Sequence, residues 1–168
     1  MICPGTLPAP HESVTLIDDI LVGNAVEASR INPRGRIIQP LHKRPASVLQ
    51  RMINAIQPGS YIQPHQHANP PKVESLIVIR GAFRILFFDS QGTPTAFYNI
   101  AAQSPLFGID IEPGIWHTLF ATVPDSVIFE VKPGPWSSVK DKDFAPWAPR
   151  EGALDAAEYM EALIQSTQ

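Results

Sequence analysis

The sequence has 168 residues, of which 44% are hydrophobic and 17% are charged, and its 13 basic and 16 acidic side chains give a formal net charge of −3. This length fits one domain of about 150 residues, and the hydrophobic content excludes disorder of the whole chain. The acidic balance lacks the basic surface that nucleic acids require, and no apolar run approaches the roughly 18 residues of a membrane helix. We therefore expect neither a nucleic-acid nor a membrane partner.

Residues 1–47 predict an N-terminal arm and a helical segment that pack on a barrel. Prolines in residues 1–12 interrupt regular hydrogen bonding, which is typical of an arm. From Ser13 to Arg30 the spacing predicts one or two short helices, ended by Asn32-Pro33. The apolar residues that recur there at near-helical spacing are Leu16, Ile20, Leu21 and Ala25. Residues 34–44 carry a local basic excess, which we interpret as a solvated connector.

The cysteine content and the N-terminal pattern bear on the compartment. Cys3 is the single cysteine, so no intrachain disulfide forms, and this favours a reducing environment. The first thirty residues lack the basic and apolar regions of a secretion signal, because Asp18 and Asp19 interrupt the nearest apolar run. We expect a cytoplasmic location.

Residues 48–135 change to a strand-like pattern. Short runs rich in β-branched and aromatic residues alternate with turn signals such as Pro58-Gly59 and Pro113-Gly114. The predicted strands are Val48–Ile56, Leu76–Ile79, Ala82–Phe88, Thr95–Ile100, Leu106–Ile111, Ile115–Thr122 and Ser126–Lys132. Seven or eight short strands without long helical crossovers indicate an all-β sandwich, jelly roll or barrel.

Residues 136–168 predict a C-terminal extension and helix within the same single domain. A segment rich in proline and tryptophan is expected to wrap the barrel, with its aromatic side chains as anchors. An amphipathic helix follows, because five apolar residues fall on one helical stripe. They are Leu154, Ala157, Met160, Leu163 and Ile164.

The pair His65 and His67 is the first sign of chemistry, because alternate residues of a strand point to the same face. Two polar residues on the solvent face of a strand have the same pattern, so the pair by itself leaves both readings open. Glu74 precedes a neighbouring strand, and His117 lies on a later one. Three imidazoles and a carboxylate suit one divalent metal ion, which by ligand type is Fe, Mn, Ni, Zn or Cu.

These residues resemble the two motifs of the cupin superfamily. The first runs from Gly59 through His65-x-His67 and Glu74 to Gly81, and the second runs from Gly108 to His117. Six residues separate His67 from Glu74, where the family pattern has three or four, so residues 68–73 must loop out for Glu74 to be a ligand. The second motif is shortened, with Pro113 directly before Gly114, and Ala121 replaces its terminal asparagine.

Within the cupins, residues 48–152 most resemble the WbuC family of cupin-fold metalloproteins. The resemblance implies a jelly-roll barrel, also called a double-stranded β-helix, with a divalent metal and an association with surface-polysaccharide metabolism. It does not imply a reaction. It rests on Gln50-Arg51-Met52-Ile53-Asn54, Pro58-Gly59-Ser60-Tyr61-Ile62, Pro64-His65-x-His67, Lys72-x-Glu74-Ser75, Trp116-His117-Thr118, Glu130-Val131-Lys132 and Asp141-Lys142-Asp143-Phe144-Ala145.

Polar residues near the metal ligands are candidates for substrate binding and catalysis. Lys72 precedes Glu74 by two, so it either supplies a cation beside the metal, for binding or catalysis, or is a solvated loop lysine. Arg51 and Asn54 are substrate-binding candidates, but they are three residues apart in one strand, so at most one faces the pocket. Glu130 shares a face with Lys132 and is an acid–base candidate if that face lines the pocket; otherwise the two form an ordinary cross-strand pair.

Three functions remain open from the sequence. One is a metal-dependent enzyme, an isomerase, epimerase or oxygenase that acts on a sugar, a sugar nucleotide or a small acid. The others are a non-catalytic small-molecule-binding or regulatory cupin and a barrel held together by a structural metal. We expect a small-molecule ligand in the first two cases. Scarce charge and an exposed barrel edge favour a homodimer.

Overall fold

Ten strands and two helices lie in the part of the chain that the computed structural model describes, residues 5–167. The helices are α1 (Asp19–Ile31) and α2 (Ala156–Gln165). The strands are β1 (Arg36–Pro40), β2 (Leu49–Ile56), β3 (His65–Gln66), β4 (Glu74–Arg80), β5 (Ala82–Phe88), β6 (Pro94–Ala101), β7 (Gly108–Ile111), β8 (Trp116–Ala121), β9 (Ser126–Pro133) and β10 (Asp143–Phe144).

The strands form two five-stranded sheets, with the order β1-β2-β9-β4-β7 in the first and β10-β3-β8-β5-β6 in the second. Every paired strand runs antiparallel to its neighbour, which confirms the all-β jelly-roll prediction. Alternate residues of both sheets point inward and bury an apolar cluster. Its buried members are Ile56, Leu76, Val78, Phe83, Ile85, Ile100, Ile111, Ala121 and Ile128.

Helix α1 is one helix, and its buried face differs from the predicted stripe. The Asp18 carboxylate caps it by accepting hydrogen bonds from the main-chain N–H groups of Ile20 and Leu21. Leu16 precedes the cap and is 71% exposed, and Ile20 is 73% exposed, whereas Leu21 and Ala25 of the predicted stripe pack against the core. The buried residues are Val22, Ala25, Val26 and Ser29. They pack on the outer face of the first sheet, over Ile37, Ile53, Ala55 and Val127.

The interpretation of residues 34–44 as a solvated connector is wrong, because this segment contains strand β1. Arg36–Pro40 pairs with β2 over five residue pairs, and Gly5 and Leu7 of the N-terminal segment bond to its other edge through Ile38. Alternate residues of β1 point to opposite faces, so Ile37 and Gln39 are buried while Arg36 and Ile38 point to the other face. The basic residues of the segment concealed this strand, because only its alternate residues are buried.

The C-terminal extension crosses the barrel before α2. Trp147 is an anchor as predicted, with its ring centroid 5.0 Å from that of Phe88, whereas Trp136 and Phe144 are exposed. Helix α2 buries Met160 and Leu163 against β5 and β8. Two other members of the predicted stripe are exposed: Leu154 precedes the helix, which begins only at Ala156, and Ala157 lies on its solvent face.

Two sequence predictions concern the reducing environment and the membrane. Cys3, on which the expectation of a reducing environment depends, lies outside the described residues. Among residues 5–167, neither helix is long and apolar enough to cross a membrane.

Candidate metal centre

Three histidines and a glutamate from both sheets meet inside the barrel. His65 lies on β3 and pairs in register with His117 on β8, while His67 follows His65 by two residues and so points to the same face. Glu74 begins β4 in the opposite sheet. The two sheets therefore present their donor groups to one point in the space between them.

The donor atoms are close together and shielded from solvent. One donor atom from each of His65, His67, Glu74 and His117 lies within 4.8 Å of every other, and all four residues are buried. The Nε2 atom of His117 is 3.1 Å from Oε2 of Glu74, and the Nε2 atom of His67 is 3.5 Å from Oε1 of the same carboxylate. The arrangement joins all four residues that the motifs singled out.

Main-chain carbonyl groups fix the tautomer of each histidine. The Nδ1 atoms of His65, His67 and His117 lie 3.0, 2.5 and 2.8 Å from the carbonyl oxygens of Gln63, Asp141 and Ile115. A carbonyl oxygen only accepts hydrogen bonds, so each Nδ1 carries the hydrogen and donates it. The lone pair of each neutral imidazole is then on Nε2, the usual arrangement of metal-binding histidines.

The charges and lone pairs of this cluster suit a bound cation. Burial opposes the ionisation of Glu74, but its close contacts with the imidazoles of His117 and His67 and the charge of Lys132 outweigh it and hold its pKa well below the usual range. Burial lowers the pKa of His65, so this imidazole is neutral. The Nε2 atom of His67 has no hydrogen-bond partner although it is buried. Lone pairs that face a carboxylate repel it unless a proton or a metal ion lies between them, so the donor set fits a divalent metal.

Two local features bring the ligands into place. The segment 68–73 folds back on itself, with a bridge between Ala68 and Pro71 and with the Asp143 carboxylate accepting hydrogen bonds from two of its N–H groups. This is the loop that the six-residue gap predicts, and it returns the chain to Glu74. Before β8, Gly114 has a φ of 78° and its N–H donates to the carbonyl of His67, which links the turn to the site.

A second polar group lies beside the four donors. The Lys132 ammonium is 2.9 Å from Oε1 of Glu130 and 3.7 Å from Oε1 of Glu74, and the amide of Asn54 donates to Oε2 of Glu130 at 2.5 Å. Burial raises the pKa of Glu130; Lys132 opposes this effect and Glu74 reinforces it. Burial alone favours a neutral amine on Lys132, but Glu130, Glu74 and Asp141 together raise its pKa.

Lys72 does not lie where either sequence interpretation put it. It is buried rather than solvated, and its ammonium donates to the Asp141 carboxylate at 3.0 Å and to the carbonyl of Pro135. It also does not line the cavity that the metal donors face. The loop 68–73 turns Lys72 toward the C-terminal extension, where it holds Asp141, the residue whose carbonyl accepts from His67.

The two substrate-binding candidates on β2, Asn54 and Arg51, point to opposite faces of the strand, as their spacing predicts. Asn54 lines the cavity, whereas Arg51 is exposed on the other face of the strand and reaches only the carbonyl of Leu41, at 3.5 Å. Arg51 is therefore not in a position to bind a substrate in this cavity. The alternation of a regular strand explains the difference, because the two residues are an odd number apart.

The donors face a cavity of about 540 Å³, within the usual range for small-molecule sites. Buried residues line its inner part, and partly or fully exposed residues of the segment 34–45 and of the C-terminal extension line its mouth. The inner lining includes Asn54, His65, Glu74, His117, Glu130 and Lys132, and the mouth includes Arg34, Arg36, Lys43, Arg44 and Lys142.

The C-terminal extension supplies two site residues that were not chosen as candidates. Asp141 bonds to both Lys72 and Lys132 by its carboxylate and to His67 by its carbonyl. Burial raises the pKa of this carboxyl, but Lys132 and Lys72 outweigh it and lower the pKa. Lys142 lines the cavity. Both residues belong to a segment on which the family resemblance depends, and that was the available signal.

Comparisons with known proteins identify the fold. A family model described as a domain of unknown function, DUF6016, matches residues 17–99. The capsular polysaccharide assembling protein CapF from Staphylococcus aureus is similar in structure with a TM-score of 0.52 and 20% identity, covering 64% of this chain. This chain spans only 28% of that protein and 30% of a second CapF chain. No curated protein matches by sequence.

Two further structures extend the comparison. L-ribose isomerase from Cellulomonas parahominis has a TM-score of 0.52 and 17% identity, covering 73% of this chain and 71% of the isomerase. Oxalate decarboxylase from Bacillus subtilis has a TM-score of 0.50 and 16% identity, covering 65% of this chain and 27% of that one. These neighbours are cupin-fold proteins. The chain has the cupin fold.

Proposed function

We propose that this protein binds one divalent metal ion through His65, His67, Glu74 and His117 and uses it to act on a small oxygen-rich molecule. The observation that carries the proposal is the buried set of three imidazoles and one carboxylate whose donor atoms lie within 4.8 Å of one another, with Nε2 of His67 buried and without a hydrogen-bond partner. The nitrogen-rich donor set suits Fe, Mn, Ni, Zn or Cu better than Mg or Ca.

The cavity supports chemistry on a ligand rather than a purely structural ion. A bound divalent ion supplies Lewis acidity to a ligand oxygen, and four protein donors leave positions free on an ion that prefers five or six. The inner cavity wall is polar where it meets the donors, with Asn54, Glu130 and Lys132 in contact with one another. A sugar or a small acid offers the adjacent oxygen atoms that such a site would hold.

Proton transfer is the reaction class that these side chains support best. The Glu130 carboxyl lines the cavity and would remove a proton from a carbon next to a ligand carbonyl and return it to the neighbouring carbon, or to the other face of the same carbon. Lys132 balances the charge of the carboxylate in the basic form, and the Asn54 amide orients it. These steps describe an isomerisation or an epimerisation. They favour those reactions over oxygenation, which needs a redox co-substrate.

The names of two structural neighbours support a carbohydrate as the substrate. CapF is described as a capsular polysaccharide assembling protein, and the second neighbour as an L-ribose isomerase. We extend the proposal to surface-polysaccharide metabolism and to membership of the WbuC family, for which the support is the set of motifs between residues 48 and 152. A sugar or a sugar nucleotide is then the ligand to test first.

A non-catalytic, small-molecule-binding or regulatory cupin with a structural metal is the second candidate. One observation favours it: Glu130 is already engaged by both Lys132 and Asn54, so its proton-transfer role requires one of these contacts to loosen. In this case the same donors hold the metal, and a ligand binds without being converted.

Metal analysis followed by hydrogen exchange would test the function. The purified protein should contain close to one equivalent of a transition metal by plasma mass spectrometry. The loaded protein is then incubated in D₂O with L-ribose, D-mannose and a nucleoside-diphosphate 4-ketohexose, each of which presents a carbonyl group, and deuterium incorporation next to the carbonyl carbon is followed by NMR. Glu130→Gln is the matched variant, because it keeps the shape of the side chain and removes the base; we expect it to slow exchange by about 100-fold.

The outcomes separate the two candidates. Exchange that needs both the metal and Glu130 supports the enzyme. A loaded protein that binds a sugar at millimolar concentration without exchange supports the binding cupin. A protein that takes up no transition metal after dialysis against each of the five ions contradicts both.

A further inference from the structure

Lys132 and Lys142 line the cavity, Lys72 lies behind Asp141, and within residues 5–167 only one of these three lysines lacks a partner. Lys72 and Lys132 both pair with the carboxylate of Asp141, at 3.0 and 3.1 Å. Lys142 is half-buried and lines the cavity, and within residues 5–167 its ammonium has neither a carboxylate partner nor a hydrogen bond. Lys142 is therefore the lysine left available to a ligand.

The surroundings of Lys142 favour an anion. Burial and the positive charge of Lys132 lower the pKa of Lys142, and the more distant carboxylates of Glu74, Glu130 and Asp141 offset this only in part, so its ammonium is costly to keep without a partner. A negatively charged group placed against this ammonium would offset that cost. No acidic side chain in residues 5–167 lies within ion-pair distance to do so.

The mouth of the same cavity adds positive charge. Arg44 lines it with no side-chain partner in the described chain, and the Lys43 ammonium contacts only the neutral carbonyl of Pro10. Arg34 and Arg36 share the single carboxylate of Glu151, which leaves one positive charge in excess. The chain as a whole has a net charge of −3, so the positive charge is concentrated at this opening.

We propose that Lys142 and Arg44 form an anion-binding site at the mouth of the cavity, which takes the phosphate group of a phosphorylated sugar while the sugar oxygens reach the metal donors. This inference rests on the proposed function and names its substrate class. A phosphate dianion fits better than a single carboxylate, because several cations without carboxylate partners line the opening. The cavity of about 540 Å³ has room for a molecule of this size.

Two matched pairs test the site. D-Ribose 5-phosphate is compared with D-ribose on the metal-loaded protein by calorimetry, which isolates the contribution of the phosphate. Lys142→Gln is compared with Lys140→Gln, which makes the same charge change on an exposed residue of the same segment, outside the cavity lining. We expect Lys142→Gln to weaken ribose 5-phosphate binding about tenfold, as the loss of a charge-assisted hydrogen bond does, and Lys140→Gln to leave it unchanged.

A third arm separates this inference from the metal proposal. Inorganic phosphate is titrated into protein dialysed against EDTA, whose fold is checked by circular dichroism. Weaker phosphate binding in Lys142→Gln and Arg44→Gln than in Lys140→Gln and Arg150→Gln supports the anion site even if no metal binds. The inference is overturned if the metal-free protein binds no phosphate, or if Lys142→Gln behaves like Lys140→Gln in both arms. In the second case any phosphate bound by the loaded protein contacts the metal instead.

Discussion

The two ends of the barrel interior have opposite chemistry although the same strands build them. At one end Leu76 on β4, Ile128 on β9 and Leu119 on β8 pack in or against the apolar cluster. One inward-facing position further along the same three strands, the residues are Glu74, Glu130 and His117. A shift of two residues along a strand changes the interior from apolar to ionisable.

The two ends of the interior are expected to contribute differently, the apolar end to stability and the polar end to binding. Each large apolar side chain buried at the first end stabilises the fold by about 1.5–3 kcal/mol. At the other end, the attraction between buried charges such as Lys132 and Asp141 largely offsets the cost of removing them from water, so the net gain is small. The apolar end is expected to hold the barrel together, while the polar end is retained for what it binds.

The largest expected effect on stability comes from the apolar end. Phe83 is fully buried in the apolar cluster, so Phe83→Ala should lower the free energy of unfolding by about 3–5 kcal/mol in urea denaturation. Phe107→Ala, at a half-exposed site just before β7, is the control and should cost less than about 1 kcal/mol. Folded Phe83→Ala should bind metal with unchanged stoichiometry. Loss of metal binding by a folded Phe83→Ala variant would contradict the separate roles of the two ends.

At the polar end, removing one charge should affect the metal far more than the fold. Glu74→Gln removes a proposed ligand and should lower metal affinity more than tenfold in a chelator-competition titration, whereas Glu130→Gln should retain the metal. Both variants change a buried carboxylate to an amide, so each is a control for the other. Equal metal loss in both would mean that the charge of the cavity, rather than Glu74 as a ligand, holds the ion.

The mouth of the cavity should respond to acid by a smaller amount. Burial opposes ionisation of Glu151, but hydrogen bonds and charges from Arg34 and Arg36 lower its pKa below the ordinary 4.5. Its stabilising effect is therefore fully present above about pH 4.5 and is lost as the pH falls through the lowered value. Since this side chain is 37% exposed, the effect is about 1 kcal/mol at most.

Urea denaturation at pH 7 and at pH 3 measures this contribution. Glu151→Gln should be less stable than the natural chain at pH 7, and the difference should shrink at pH 3. Glu161→Gln, an exposed position on α2, serves as the control. A difference that stays constant between the two pH values would show that the ion pairs of Glu151 contribute nothing.

Self-association is expected to leave both ends of the barrel interior unchanged, because it would use an outer strand. We expect a homodimer through β6, which ends the second sheet and exposes Phe97 and Tyr98, whereas residues 5–7 bond to the outer edge of β1. Sedimentation at micromolar concentration should give twice the monomer mass, and Tyr98→Lys should reduce it. A monomer for the natural chain would refute the prediction.

The sequence predicted regular elements well wherever a single local pattern controlled them. The alternating apolar runs gave strands close to β2, β5, β6, β8 and β9, and the His65 and His67 spacing placed two imidazoles on one face. Where two patterns overlapped, the prediction was wrong. The charges of residues 34–44 concealed β1, because only every second residue of that segment turns inward.

Strand alternation in the sequence places His65 and His67 on one face, and the resemblance to the two cupin motifs implies the fold and adds Glu74 and His117 to the proposed metal donors. The roles of Lys72, Asp141 and Lys142 do not follow from the sequence, because the C-terminal extension meets the loop 68–73 only after the chain has folded. Lys72 and Asp141 are 69 residues apart and pair at 3.0 Å. Which lysine is neutralised and which faces the cavity was therefore decided by tertiary contacts, where the pairing of charges depends on distance in space rather than on order along the chain.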